Sequence, residues 1–235
     1  MRRSLSNSWR NYSGRDTNSS STPPFNASET TIAEVESKKE EEERIKTSGP
    51  YPLSNNWTFY RDKYVANATP EEYAQNLVVL ATVATVQNFW AVYNNIPGPD
   101  QLQSRCSHHF MKSGIRPVWE DPRNENGGAW YFRVDKADTA FVWRELLMQL
   151  IGEQFEDCIA EDDDIFGLSV SSRYNSDIFT MWNQNANAGN LSKVLDKLLE
   201  ILKPVQLQLP YYKAHKDHAT FKKSDSPAAN GQTLG

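Results

Sequence analysis

Basic residues are the minority here: 25 Lys and Arg stand against 30 Asp and Glu, a formal net charge of -5. A general attraction to nucleic-acid backbones is thereby excluded, and any such ligand has to be gripped at a local site. Cysteine is almost absent. Cys106 and Cys158 sit in unrelated contexts, which excludes a disulfide scaffold and points to reduced thiols in a cytoplasmic or nuclear protein. No apolar run approaches the length of a membrane helix, and none follows Arg2-Arg3, so neither a span nor a secretory leader is expected. The sequons at Asn26 and Asn56 are accordingly expected to stay unglycosylated. Phosphate-cradling glycine loops and nucleophile elbows are missing too. Cys106-Ser-His-His109 has no second ligand pair at metal spacing, and Glu161 to Asp164 is expected to form a solvated turn. What remains is a binding protein that is not an enzyme and carries no cofactor or metal.

Apolar residues make up only 38% of the chain and mean hydropathy is -0.68, but the deficit is localised. Residues 1–49 are crowded with Ser, Asn and Thr and end in the charged run ESKKEEEERIK. Such a segment buries too little apolar surface to offset its chain entropy, so a disordered tail is expected. Residues 222–235 have the same character. Between them, residues 50–221 hold six of the seven Trp and enough aliphatic residues for one core, expected as a monomer.

Within that segment, periodicity predicts strands over 56–62 and 76–83, then a helix over 86–96 capped by Thr85 and stopped by Pro97-Gly98-Pro99. Two strands, 114–120 and 129–134, are expected to flank a loop. A second helix is expected over 138–155. Strands follow at 165–173 and 177–182. A third helix after Asn190 carries Leu191, Val194, Leu195, Leu198, Leu199 and Leu202 as its stripe, and a strand over 205–213 closes the chain. One-sided helices among alternating strands predict an α+β fold, an antiparallel sheet with helices packed on one face and the other face free for a ligand.

The expected loop reads RPVWEDPRNENGGAW, Arg116 to Trp130, and sets Trp119 directly against Glu120 and Asp121. An indole in a polar loop is usually an anchor folded onto the core. It also suits a cationic ring. A guanine methylated at its seventh position is positively charged and attracts aromatic faces from both sides. A carboxylate then accepts from the two donors on the base edge, and an Arg pairs with the phosphates. Tyr73, Trp119, Glu120 and Arg173 supply that set.

The segments VQNFWAVYNNI, FMKSGIRPVWEDPRNENGGAW, LLMQLIGEQF and SVSSR…DIFTMWNQ, in this order over about Tyr51 to Phe221, resemble eukaryotic translation initiation factor 4E, the family that binds the 7-methylguanosine cap of messenger RNA. The resemblance implies a curved antiparallel sheet with three helices on its convex face and the cap site on the concave face. It implies that Trp119 and Tyr73 stack the base, Glu120 grips its edge, Trp182 touches the methyl group and Arg173 binds phosphate. Tyr73 and Tyr60 stand where the family usually has Trp, as in the divergent 4E homologous proteins. Asn175, Ile178 and Ala129 replace cations. A weaker, base-dominated cap grip is expected, with Lys112, Lys222 or Lys223 as helpers.

The resemblance also implies a partner groove on the back of the sheet, lined by Tyr51, Pro52, Leu53, Val86, Trp90, Glu145, Met148 and Gly152, which receives a Tyr-x4-Leu-Φ helix from an initiation scaffold or a repressor. Periodicity alone assigns Val86 and Trp90 to a wide core stripe. Initiation factor and repressor stay open at this stage, as do a cap-independent single-strand RNA binder and a pure interaction scaffold.

Overall fold

The chain divides into two units, Met1–Gly49 and Pro50–Gly235. The computed structural model describes residues 49–66, 69, 72, 75–189 and 191–217, together with Lys39. All the elements below lie in the second unit.

One seven-stranded sheet organises this unit. Its strands are β1 (Pro52–Lys63), β2 (Val78–Thr85), β3 (Cys106–Lys112), β4 (Gly128–Asp135), β5 (Ile165–Ser172), β6 (Ser176–Asn183) and β7 (Gln208–Ala214), in the order β2-β1-β3-β5-β6-β4-β7. Every pairing is antiparallel. The helices are α1 (Val86–Tyr93), α2 (Thr139–Ile151), the single turn α3 (Ala186–Gly189) and α4 (Val194–Ile201).

One face of the sheet is covered. Trp57, Phe59, Phe110, Trp130, Phe132, Leu168, Val170, Phe179 and Met181 form one core with Phe89 of α1, Leu146 and Leu147 of α2, and Val194 and Leu198 of α4. Each helix presents a single apolar stripe to it, which is why three helices lie on the same side. No described helix is long and apolar enough to cross a membrane.

Several boundaries differ from the sequence reading. Strand β3 is Cys106–Lys112, whereas 114–120 is turn and loop. Gly114 takes φ +86, ending the extended run. Asp121 and Asn124 then knot the segment: Asp121 accepts from the Arg116 and Arg123 backbone N–H groups, and the Asn124 amide donates to the Arg116 and Val118 carbonyls. Thr85 does cap α1, accepting from the Asn88 N–H at 3.1 Å. That helix stops at Tyr93, because the Asn95 side chain donates to the Ala91 carbonyl and the Asn95 and Ile96 N–H groups both turn back to Val92. Helix α2 ends at Ile151, with Gly152 as its cap. In α4 only Val194, Leu198 and the following Leu202 are buried; Leu191 and Leu199 face solvent. Asp163 does not sit in a solvated turn. It is buried and accepts from Asn183 and Asn185.

Candidate functional site

The open face, away from the helices, is built by the alternate residues of the same strands, and along its middle strands it is buried as well. Antiparallel register lines up one row across six of them: Tyr60, His109, Ser169, Thr180, Tyr131 and Tyr211. A neighbouring row reads Met111, Gly167, Trp182, Ala129 and Lys213. On the other side lie Asp62, Ser107, Ser171, Ile178 and Arg133. The register irregularity between Ile165 and Gly167 swings Phe166 onto this face. There it joins Tyr60, Met111, Ile115 and Trp182 in a second, smaller apolar cluster, with Trp119 and Leu77 packed against it.

Trp119 is thus not an orphan in a polar loop. The knotted 113–127 segment lays it half-buried on the open face, where its indole N–H hydrogen-bonds the Tyr131 hydroxyl. Burial, and next the neighbouring Tyr211, push the Tyr131 phenol well above its usual pKa, while the Trp119 bond pulls the other way. Glu120 projects into solvent beside it. Tyr73 lies outside the described residues, as do Lys222 and Lys223.

Trp182 forms the floor, only 5% exposed, with the His215 ring 4.9 Å away. Its indole N–H donates to Ser169 Oγ at 2.9 Å, Ser169 Oγ lies 2.7 Å from His109 Nδ1, and His109 Nε2 faces Asp62 Oδ2 at 3.5 Å. Ser, His and Asp in that order match the composition of a hydrolytic triad. Here all three are buried and the serine is occupied by an indole. The chain of bonds fixes a ring; it presents no nucleophile.

Arg173 leaves β5 at the far row. Its backbone N–H is held by Asp177, whose carboxylate also takes Lys136 Nζ at 2.6 Å and Thr139 Oγ1 at 2.7 Å. Partial burial, then the nearby Arg133 guanidinium, lower the Arg173 pKa, with Asp62 the main opposing influence. Arg133 is itself bonded to Ser176. Two guanidinium groups close together on a partly dry surface are an arrangement that an anion relieves. Lys112, expected as a helper, falls on the other side of the sheet. It pairs with Asp164 at 2.7 Å and lies over Trp57 of the main core, so it is neutralised and turned away.

A depression of about 630 Å³ flanks the loop, lined by Pro122, Arg123, Asn126, Phe166, Asn185 and Lys216 among others. It contains none of the residues expected to bind the cap or a partner. Tyr131, Ser169 and Arg133 were missed by the sequence reading, and His109 entered it only within Cys106-Ser-His-His109, although strand alternation through Trp130 would have put Tyr131 and Arg133 on the open face.

On the covered side, the Val86 N–H donates to the Tyr51 carbonyl at 2.9 Å, and the Tyr51 N–H to the Gln87 side chain at 3.0 Å. Tyr51, Pro52 and Leu53 are thereby stapled to the start of α1. Trp90 is half-buried, edge-on to Phe89 at 5.1 Å and to Tyr93 at 5.6 Å. Asn55 donates to Glu153 at 2.9 Å, tying the start of β1 to the end of α2, where Glu145, Met148 and Gly152 follow one another at helical spacing. The structure brings Tyr51 to Leu53 together with Val86, and links that segment to the Gly152 end of α2.

Residues 52–230 match the family of eukaryotic initiation factor 4E. The chain is 34% identical over 176 residues to eukaryotic translation initiation factor 4E-4 of Caenorhabditis elegans, covering 72% of this chain and 79% of that protein. It is 31% identical over 180 residues to eukaryotic translation initiation factor NCBP of Triticum aestivum, covering 74% and 76%. Among solved structures, the complex of C. elegans eIF4E-3 with the 4E-binding protein Mextli and cap analog aligns with a TM-score of 0.63 at 30% identity, covering 76% of this chain and 98% of that one. The schistosome eIF4E complexed with m7GpppA and 4E-BP gives a TM-score of 0.62 at 26% identity, covering 79% and 97%.

Proposed function

The chain belongs to the eukaryotic initiation factor 4E family of non-enzymatic cap-binding translation factors, and on that premise we propose that its open face binds the 7-methylguanosine end of messenger RNA while the α1 side receives a partner helix. The observation that carries the first half is the placement of Trp119. It is hydrogen-bonded to Tyr131 and packs against the cluster that holds Trp182, with the exposed Glu120 next in sequence. A flat, electron-rich ring over an open face with an adjacent carboxylate suits a cationic purine and its edge donors. Tyr73 is proposed as the second stacking ring and Trp182 as the contact to the methyl group. Arg173 takes phosphate.

The grip is read as dominated by the base. Ala129 and Ile178 occupy open-face positions beside Trp182 and Arg133 without adding charge. Titration of m7GTP and GTP by tryptophan fluorescence tests this. We expect a clear preference for the methylated nucleotide and a shallow salt dependence. Glu120→Ala is expected to weaken m7GTP by about 100-fold, as loss of two charge-assisted hydrogen bonds implies. Equal affinity for m7GTP and GTP would defeat the sandwich.

The second half is supported by the surface around Trp90, where an aromatic edge stays exposed next to a segment stapled by Tyr51. The C. elegans and schistosome proteins were each solved with a 4E-binding protein. A Tyr-x4-Leu-Φ helix laid in a groove draws its energy from a few anchors. Trp90→Ala is expected to cost such a peptide more than about 2 kcal/mol, or some 30-fold, with m7GTP affinity unchanged. We propose an initiation scaffold as the occupant. Recovery of only repressor proteins on wild-type protein, lost in Trp90→Ala, would assign the chain to the divergent repressor class instead.

A further inference from the structure

One aromatic surface on the open face is left unused by the cap reading. Tyr211 of the edge strand β7 is 53% exposed. Its inner face lies parallel to Tyr131, with centroids 5.1 Å apart and 13° between the planes, so the ring is held at fixed tilt and its outer face is open. Tyr131 in turn carries the Trp119 indole. Three aromatic side chains therefore run in sequence from the proposed cap slot to the rim of the sheet.

Cations bracket this rim. Lys213, two residues on and on the same face, pairs across to Ala129 in the Trp182 row. It has no carboxylate partner among the described residues. Arg133 lies in the row on the other side of Tyr131, bonded only to Ser176 among them. The nearest acid along these strands, Asp135, lies one row beyond Arg133, away from Lys213, and accepts from the Gln208 amide at 2.7 Å. In a chain with net charge -5, an exposed ring with a Lys on one side and an Arg on the other is a departure from the general surface. A cross-strand Tyr pair serving stability alone has no need of either.

We propose that Tyr211, flanked by Lys213 and Arg133, is a stacking step for the nucleotide that follows the cap, so that the protein reads the first stretch of the RNA chain as well as its methylated end. The proposal rests on the cap reading and extends that site to the β7 rim. Stacking on an exposed tyrosine is tolerant of base identity, and the adjacent cations meet the phosphodiester on either side of the stacked base. The ring is already ordered by Tyr131, so little freedom is lost on binding.

The test compares m7GTP with a capped tetranucleotide on the full chain, by fluorescence titration at several salt concentrations. Wild type is expected to bind the capped tetranucleotide about tenfold more tightly, with a steeper salt slope. Tyr211→Ala should abolish that advantage and leave m7GTP affinity unchanged, and Tyr211→Phe should retain it. Lys213→Gln should lower the salt slope for the tetranucleotide by about 0.7, the single-strand value for one phosphate contact. Wild type that binds m7GTP and the tetranucleotide equally would overturn this inference alone. Equal weakening of both ligands by Tyr211→Ala, with a lowered melting temperature, would assign the pair to folding and overturn it as well. So would a protein partner lost on Tyr211→Ala with tetranucleotide binding unchanged. Wild type that shows no preference for m7GTP over GTP would overturn the cap reading and this extension together.

Discussion

Removing one oxygen atom beneath the open face should be felt in both stability and recognition. Ser169 Oγ is the single acceptor of the Trp182 indole N–H and the neighbour of His109 Nδ1, and Ser169, Trp182 and His109 are each 5% exposed or less. Ser169→Ala strips both partners at once in a buried setting. Each buried group left unsatisfied costs about 1–3 kcal/mol, so the variant is expected to lose about 2–4 kcal/mol. Against a typical total of roughly 5–15 kcal/mol that is a large fraction, and for a folded unit of this size it lowers the melting temperature by about 5–15 °C. Urea unfolding reports the loss directly. Ser171→Ala is the matched control. The same hydroxyl is removed one row away, where it meets only Ser107 Oγ at 2.9 Å in a half-buried pair, and the cost should stay under about 1 kcal/mol. With its N–H released, the Trp182 ring is no longer fixed, and discrimination of m7GTP from GTP should fall along with stability. A Ser169→Ala variant within about 0.5 kcal/mol of wild type, or no worse than Ser171→Ala, would refute the claim that this chain of bonds positions the floor of the site.

Acid should destabilise the protein through His108. Burial, and next its neighbour His109, push this imidazole down to about 4, and it sits against Trp143 at 6.5 Å. Because the folded state holds the ring neutral, the unfolded chain binds the extra proton. The contribution is therefore intact above about pH 6.5 and is lost as pH falls towards 4, by up to about 3 kcal/mol. His108→Leu should flatten that limb of the stability profile without loss at pH 7.5; an unchanged acid limb would show that other groups carry it. Gly167→Ala should unfold or severely weaken the protein, by about 3 kcal/mol or more. A Cβ there would land on the Phe110 carbonyl and within 2.9 Å of the Met111 Cα, both of them backbone of the paired strand. Normal urea stability in that variant would mean that β3 and β5 separate more easily than the close approach allows.

Periodicity and side-chain chemistry, read along the chain, were enough for the fold class, for the capped start of α1 and for the strand pair around Trp182. Those features are local: a stripe every third or fourth residue, a Thr oxygen one turn from an N–H, an alternation of two. Strand β3 escaped because it is buried on both faces and carries His108 and His109 at its centre, so its sequence shows neither alternation nor a continuous apolar run. The apolar identity of 114–120 then drew the strand assignment to what is a loop tied by Asp121 and Asn124. Trp119, Glu120 and Arg173 stood out by residue type. Which residues share a row with them did not. Register across six strands joins positions as far apart as Tyr60 and Tyr211, and a shift of one residue between β6 and β4 would have sent Tyr131 and Arg133, and with them Lys213 of the paired β7, to the helix side. The neutralisation of Lys112 by Asp164 and the exposure of Tyr211 beside Lys213 and Arg133 are consequences of that register, and the folded sheet alone decided them.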